Sequence, residues 1–366
     1  MSSGLRQPFG KIFPSKKLIN RILFKLDSNV TSRNIIPLYR QLHENGKLID
    51  SSGISGNPNT LFLMNRVLFE VKKQTKQQNE TLKYMELYFL KKAALLGQAD
   101  AISLLCFDVL NNAKGNSTND VNHCSKLLKA LVQKNHPLAL KVVGDLNYSV
   151  SQPEESAKWY SQYLKIVPQG KDGIWRPQVL EKLGELEFRK GGFSNVSIAE
   201  QYFLEAIGTS KLQDCVKSYF YLSQIHVNYD PVKARVLLEQ CCTQGFKEAF
   251  KTLGYLEAQY FKNLDKAQEW FKLGMELFDL ESYFGYFDCC VQSKQWMQAY
   301  KTYQTLLKLK PTQRGANSEL IGLFLEKKND TINKVIIEHK RDDTDVDANG
   351  VSSIAVDIQR SSKWSI

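Results

Sequence analysis

The chain has 366 residues, of which 43% are hydrophobic, and a formal net charge of +11. That hydrophobic content is enough to bury a continuous core, and no apolar run reaches the roughly 18 residues of a single membrane-spanning helix. More than half of the excess positive charge lies in residues 1–26, so the basic balance describes the N-terminus and does not by itself indicate a nucleic-acid-binding surface.

Residues 1–26 contain six Lys and Arg residues and no acidic residue before Asp27. A basic, acid-free head is typical of a mitochondrial presequence, so we predict a mitochondrial targeting region here. Ser15 to Leu26 is expected to form an amphipathic helix with Ser15 as its N-cap and with Leu18, Ile22 and Leu26 on its apolar face. The same helix is a candidate for membrane contact, and the alternative is a basic arm of a cytosolic protein.

Residues 27–80 are expected to form an irregular N-terminal helical segment. The apolar pattern indicates helices at 29–42 and 61–74, and a loop rich in Gly, Ser, Asn and Pro separates them. The repeating part of the chain begins after this segment.

An alanine recurs through the second half of the chain at steps of 42, 35, 33 and 32 residues. The alanines are Ala157, Ala199, Ala234, Ala267 and Ala299. A bulky residue follows each of the last four by four positions, whereas Tyr160 comes one position early after the first. Positions four and seven apart share one helical face, so each segment predicts a helix that a neighbour can approach closely. A period near 34 is typical of tetratricopeptide repeats.

Two further signals support paired helices. The segments 92–101 and 233–249 resemble the turn of Sel1-like repeats, with Gly97 and Gly245 as the left-handed residue after a helix, and 129–139 is a looser copy. The preceding helices carry apolar–glycine pairs ending in Gly144, Gly184 and Gly254. We therefore predict an all-α, right-handed α-solenoid of about six to seven TPR/Sel1-like hairpins over residues 81–312.

The C-terminal part is expected to close the stack. A capping helix is predicted at 317–339, within a capping region 313–340, because its apolar residues follow a helical period and its other face is polar. After Arg341 the chain becomes acidic and polar, so 341–366 is expected to be a disordered tail.

The sequence carries few signals of catalysis. Its five histidines show no metal-ligand spacing, and there is no phosphate-binding glycine loop and no nucleophile elbow. None of its seven cysteines form a C-x-x-C pair, so they are expected to be reduced packing residues. We predict a non-enzymatic protein without a cofactor or a bound metal.

A partner-binding groove is expected along the first helices of the hairpins. Aromatic residues among charges of both signs suit an extended peptide or an amphipathic helix better than nucleic acid, although each is equally compatible with packing between helices. The candidates are Lys141, Tyr148, Glu181, Phe188, Tyr219, His226, Lys251, Tyr255 and Phe284, accompanied by the carboxylates of Asp145, Glu185 and Asp288.

Three segments resemble one known family. The dense block is Gly245 to Val291, and shorter likenesses are found at 20–27 and 100–105. These segments are similar to the fungal mitochondrial factor required for export of the C-terminal tail of cytochrome c oxidase subunit II, and the similarity covers most of residues 11–340. The family has no catalytic residues to carry over.

The resemblance implies a peripheral protein on the matrix side of the mitochondrial inner membrane. Its implied partners are the subunit II C-terminal tail, an Oxa-type insertase and an associated export factor. Two other interpretations stay open at this point, namely a mitochondrial RNA-binding helical-repeat factor and a TPR co-chaperone adaptor. The first requires a basic inner face, and the second requires a carboxylate clamp that the sequence does not show.

Overall fold

The computed structural model describes residues 8–48, 56–75, 79–167, 175–310 and 315–349, with side chains up to Arg341 in the last range. Within these ranges the chain is helical and contains no strand. The helices are α1 Phe9–Ile12, α2 Lys16–Lys25, α3 Ser32–Asn45, α4 Pro58–Thr75, α5 Glu80–Leu95, α6 Ala99–Asn111, α7 Thr118–Gln133, α8 Pro137–Ser149, α9 Pro153–Ile166, α10 Trp175–Lys190, α11 Phe193–Thr209, α12 Val216–His226, α13 Pro231–Thr243, α14 Lys247–Gln259, α15 Leu264–Glu276, α16 Leu280–Gln292, α17 Trp296–Leu309, α18 Ala316–Lys327 and α19 Asn329–Asn349.

Contacts divide the chain into two compact units, Met1–Val179 and Leu180–Ile366. The first unit contains hairpins α6–α7 and α8–α9 and ends within α10. The second contains the rest of α10, which packs against α11 through Gly184 and Phe203, and hairpins α12–α13, α14–α15 and α16–α17, followed by α18 and α19. Each unit is therefore a stack of helical hairpins, and the predicted all-α repeat fold is confirmed.

Helices α1 to α5 of the first unit share one core. Tyr39 lies at its centre, fully buried, and its hydroxyl donates a 2.7 Å hydrogen bond to the Met64 carbonyl. From α5, Leu82, Met85 and Phe89 enter the same core. Hydrophobic packing therefore continues across the predicted boundaries at 26/27 and 80/81, and the division of the chain into functional regions there stays a prediction.

Helix α2 belongs to this core. Ser15 is at its N-cap, as predicted. Its buried face is made by Ile19, Ile22 and Leu23, which are 0, 0 and 4% exposed, whereas Leu18 and Leu26 lie at the flanks. The three predicted residues Leu18, Ile22 and Leu26 all pack on the core, and Ile19 and Leu23 widen the expected apolar face. It packs against the protein's own core, so it is not a free surface for a membrane; mitochondrial targeting stays a prediction.

The turns between hairpins follow the predicted signals. Gly97 and Gly245 end α5 and α13 with φ angles of 84° and 72°, in the left-handed region where a side chain would add strain. Pro137 occupies the first turn of α8, where its missing amide hydrogen is not needed. These residues fix where one hairpin stops and the next begins.

The close-packing stripe begins one residue earlier in α9 than the alanine pattern indicated. Ser156 is fully buried and donates a 2.9 Å hydrogen bond to the Gly144 carbonyl, whereas Ala157 is only half-buried. Tyr160 and Tyr163 follow Ser156 by four and seven positions and are also fully buried. The assignment of Ala157 to the repeat is therefore wrong, because serine fills the small position.

In the second unit, one ring locks two hairpins together. Phe271 of α15 is fully buried between Gly254 of α14 and Gly285 of α16. A Cβ built on Gly254 would lie 2.6 Å from a Phe271 ring carbon, and one built on Gly285 would lie 2.3 Å away. Both helices can therefore approach α15 closely only because these two positions lack a side chain.

The C-terminal region contains two helices where the sequence predicted one. Helix α18 ends at Lys327, and α19 starts at Asn329 and continues to Asn349. The expected tail boundary at 341 therefore falls inside a helix, which corrects that prediction for 341–349. Residues 350–366 lie outside the described residues.

No single helix in the described ranges has the length and apolar character to cross a membrane; the pair α5 and α6 has them only jointly, with a bend of 118° between its members. None of the seven cysteines, all in the described part of the chain, forms a disulfide, and five are buried. Burial raises the pKa of the Cys241 thiol to about 12, as expected for a packing residue.

Candidate partner-binding face

The first helices of the hairpins align on one close-packed position. That position is occupied by Gly144 in α8, Gly184 in α10, Ser223 in α12 and Gly254 in α14. In the three glycine helices it lies against an aromatic ring of the second helix, namely Tyr160, Phe203 and Phe271. On each helix, the residue three places before this position and the residue one place after it form a surface that we call the polar row. In the second unit the row contains Glu181, Glu185, Phe220, Gln224, Lys251 and Tyr255.

In the first unit, the candidates on α8 pair with one another. Lys141 forms a 2.6 Å ion pair with Asp145, and its ammonium lies 5.0 Å from the centre of the Trp175 ring. The other carboxylate oxygen of Asp145 accepts a 2.6 Å hydrogen bond from Tyr160. Lys141 is only 8% exposed, so its predicted exposure is wrong: its stem is covered by packing. Tyr148 is half-buried at the end of the same helix.

Glu181 and Glu185 make the α10 part of the row acidic. Burial raises the pKa of the Glu181 carboxyl to about 7, against the opposing effect of Lys217 and Lys182. Glu185 is 4% exposed and is paired with Arg189 and Lys182, so its predicted exposure is wrong.

Phe188 lies in the same region, half-buried, with its ring centre 5.4 Å from that of Tyr221. Burial together with the neighbouring Glu185 carboxylate raises the pKa of Tyr221 to about 12. At least one side of the Phe188 ring is therefore packed against another side chain.

On α12 the sequence-based register was wrong. Tyr219 is half-buried between hairpins, and His226 is 3% exposed, with its Nε2 atom 3.4 Å from Glu200. Burial lowers the pKa of His226. The residues that occupy the row are Phe220 and Gln224, which were missed because Ser223 replaces the glycine that marks the register elsewhere.

On α14, Lys251 and Tyr255 both belong to the polar row, and their contact with a partner stays a prediction. Lys251 forms a 2.7 Å ion pair with Glu281 on the next hairpin, and the Tyr255 hydroxyl lies 3.4 Å from the Glu281 carbonyl. The Tyr255 ring packs against Phe271, with 5.0 Å between ring centres. Burial and the surrounding carboxylates raise the pKa of Tyr255 to about 12, so its hydroxyl stays a donor at neutral pH.

The row is covered by the chain itself at α16. The Phe284 ring stacks on Phe324 of α18 with 4.2 Å between ring centres, and Asp288 forms a 2.7 Å ion pair with Lys328. Phe284 and Asp288 are therefore contacts that hold the C-terminal helices, which corrects their assignment to an open groove. From α10 to α14 the row residues are half-buried, apart from the buried Glu185.

This arrangement offers charged, amide and aromatic side chains for binding. Among the described residues no cluster of three His, Cys, Asp or Glu side chains can hold a metal ion. The row instead presents acidic, amide, aromatic and basic side chains in that order from α10 to α14. Such a surface can hold a polypeptide segment that carries both charge and apolar residues.

Stacked hairpins with a mixed polar and aromatic row define a helical-repeat scaffold protein. Residues 5–98 match the model of the MSS2 N-terminal domain. Over 334 residues the chain is 34% identical to Protein MSS2, mitochondrial, from Saccharomyces cerevisiae, which covers 88% of this chain and 93% of the relative. The chain belongs to the MSS2 family, and the resemblance seen in its sequence is confirmed.

Solved structures with similar coordinates include c5321, a protective antigen of uropathogenic Escherichia coli with an SLR fold. The two share 16% identity and a TM-score of 0.49, over 90% of this chain and 69% of that one. A Sel1 repeat protein from Oxalobacter formigenes gives 17% identity and a TM-score of 0.43, over 72% of this chain and 97% of the other.

Proposed function

We propose that this chain is a non-enzymatic mitochondrial assembly factor. In this proposal it binds newly made cytochrome c oxidase subunit II, or the insertase that handles it, on the matrix side of the inner membrane and promotes export of the subunit's C-terminal tail. The observation that carries the proposal is the 34% identity to the mitochondrial relative over nearly the whole of both chains. The repeat fold supports it, because stacked hairpins are surfaces for binding other polypeptides.

The polar row of the second unit is the proposed client-binding face. Glu181 offers a carboxylate, Lys251 an ammonium group, and Phe220 and Tyr255 apolar rings, all on neighbouring hairpins. A client segment with both charges and an apolar side chain satisfies such a row better than a uniformly charged one. Binding would keep that segment extended and accessible to an Oxa-type insertase and its associated export factor.

The composition of the row disfavours the RNA-binding alternative. Glu181 places a carboxyl group on α10, and Lys251 is the one cation among the six residues of the row. A phosphate backbone finds few partners on such a row, since RNA binding depends on cationic contacts. A polypeptide client remains the better fit.

The test is site-specific crosslinking in isolated mitochondria during subunit II synthesis. A photoreactive amino acid replaces Lys251 on the row, and the matched control replaces Glu269, an exposed residue on the second helix α15. The proposal expects adducts with newly made subunit II or its insertase from position 251 and not from 269. Equal yields at both positions, or adducts with ribosomal RNA or cytosolic chaperones alone, would refute it.

A further inference from the structure

The turns that join the two helices of each hairpin lie along one edge of the second unit. Within hairpin α14–α15 the helices are antiparallel, since Phe250 lies opposite Gly274 and Gly254 opposite Phe271. Helix α16 returns antiparallel to α15, with Ser282 opposite Gly274. Successive first-to-second turns therefore fall on the same edge. They occupy 191–192, 227–230, 260–263 and 293–295.

Large apolar side chains project from this edge. Phe193 is 94% exposed, Tyr229 is 62% exposed and Tyr260 is 59% exposed. The Tyr229 and Tyr260 rings are each held against a neighbouring ring, that of His226 at 4.9 Å and that of Phe261 at 5.0 Å between centres. Phe193 opens α11 directly after the first turn, and Tyr229 and Tyr260 lie within the second and third turns. The rings are therefore spread over three hairpins and do not form the contiguous patch of a protein–protein hot spot.

Lysines lie at the second, third and fourth of these turns: Lys233 in the first turn of α13, Lys262 within the third turn and Lys294 within the fourth. Lys233, Lys262 and Lys294 are exposed, and among the described residues their ammonium groups form no ion pair. The carboxylates near these turns each have a partner: Glu187 forms a 2.6 Å ion pair with Lys190, and Glu200 lies 3.4 Å from His226 Nε2. Asp230 caps α13 by accepting a 3.0 Å hydrogen bond from the Lys233 backbone amide. Asp265 is the exposed acid that follows the third turn. We call this surface, with its three rings and three lysines, the basic edge.

We propose that the basic edge docks on the surface of a lipid bilayer that contains anionic lipids. Exposed aromatic residues insert at the headgroup level, and lysines beside them are attracted by the negative surface potential. A fluid headgroup layer can accept dispersed side chains without matching their shape, which a folded protein partner cannot do. This inference deepens the proposed function, on which it rests for the membrane concerned, by assigning the surface through which the protein meets the bilayer.

The test measures partitioning of the purified full chain onto vesicles of phosphatidylcholine with and without phosphatidylglycerol. Binding is expected only to the anionic vesicles. Each unpaired lysine near such a surface contributes about a fivefold gain in partitioning. Replacing all three by glutamine (Lys233→Gln, Lys262→Gln and Lys294→Gln) should therefore weaken binding about a hundredfold, and Phe193→Ser should weaken it further. These side chains are exposed, so circular dichroism and the unfolding midpoint should not change.

Two variants serve as matched controls. Phe278 is 83% exposed on the opposite edge of the same unit, between the exposed carboxylates of Glu276 and Glu281, so Phe278→Ser should leave vesicle binding unchanged. Phe24 is 89% exposed on α2 among basic residues of the first unit, and Phe24→Ser should also have no effect.

Three results would overturn the inference. They are equal binding to neutral and anionic vesicles, unchanged binding by the lysine variant, or a loss of vesicle binding in Phe24→Ser or Phe278→Ser with no loss in the variants of the basic edge. Subunit II crosslinking from position 251 is read separately. Vesicle binding without that crosslink would contradict the proposed function and support the docking surface. The crosslink without vesicle binding would support the proposed function and contradict the docking surface.

Discussion

Replacing Gly254 by alanine tests whether the ring of Phe271 locks two hairpins together. The new Cβ would lie 2.6, 2.7 and 2.8 Å from three carbons of that ring, whereas relaxed carbon contacts are about 3.5–4.0 Å. The ring would need to move by about 1 Å, but Gly285 of α16 lies against its other side. Neither helix leaves room for that displacement.

The expected magnitude follows from two opposing effects. Overpacking a rigid core site costs about 1–3 kcal/mol, and the absence of a free side suggests the upper half of that range. Alanine recovers up to about 1 kcal/mol of helix propensity relative to glycine. The net expectation is a loss of about 1–2 kcal/mol in the free energy of unfolding.

The assay is urea denaturation followed by circular dichroism, with Gly322→Ala as the matched control. Gly322 lies inside α18, and a Cβ there would meet only the Lys310 side chain at an ordinary 3.7 Å. The control should be stabilised by about 0.5–1 kcal/mol. A second variant, Gly254→Ala combined with Phe271→Leu, should be more stable than the sum of the single changes. Equal stabilisation of Gly254→Ala and Gly322→Ala would refute the packing argument.

Three further predictions concern the polar side chains and the C-terminal helices. Because burial raises the folded-state pKa of Glu181 from its ordinary 4.5 to about 7, the folded chain binds this proton more tightly and loses stability as pH rises through that interval. Glu181→Gln should therefore raise the free energy of unfolding, measured by urea denaturation at about pH 8, by up to about 3 kcal/mol, less after solvent screening, and have little effect at about pH 4. Tyr160→Phe removes the 2.6 Å hydrogen bond to Asp145 and should cost about 1–2 kcal/mol in thermal unfolding, while an unchanged midpoint would show that the bond is not formed in solution. Phe324→Ala removes the ring stacked on Phe284; cleavage within 315–349 in limited proteolysis should accelerate severalfold, and resistance equal to that of the parent chain would contradict the assigned contact.

Local chemistry made several parts of the fold predictable. Gly97, Gly245 and Pro137 mark turns because their backbone requirements are intrinsic to the residue. The small–bulky spacing from Ala199 onward marks a helical face for the same reason, since 3.6 residues per turn sets which side chains are neighbours. These signals were enough to predict the hairpins and to place Lys251 on the first helix of its hairpin.

Other parts depended on information that no single segment contains. Ser156 and Ala157 are both small, so only packing against Gly144 shows which of them carries the register. On α12, serine occupies the glycine position, and the row residues Phe220 and Gln224 were overlooked. The break between α18 and α19 lies at Lys328, and neither proline nor glycine marks it in the sequence. Such features follow from contacts between distant residues.

The same limit explains the corrected groove candidates. Phe284 resembles an exposed aromatic in sequence, but Phe324, forty residues later, covers it. Lys141 resembles a free cation, but Trp175 and Asp145 enclose its charge. Whether the remaining candidates contact a client is a question for the crosslinking experiment.

The place of α2 in the first core sets a limit on import processing. A peptidase that cut after residue 26 would detach Ile19, Ile22 and Leu23, all of which are at most 4% exposed. Losing three buried aliphatic side chains forfeits about 5–9 kcal/mol of burial, comparable to the whole stability of a typical domain. Ile12 and Phe13 of the preceding segment are buried in the same core, so cleavage that preserves this fold would fall ahead of α1.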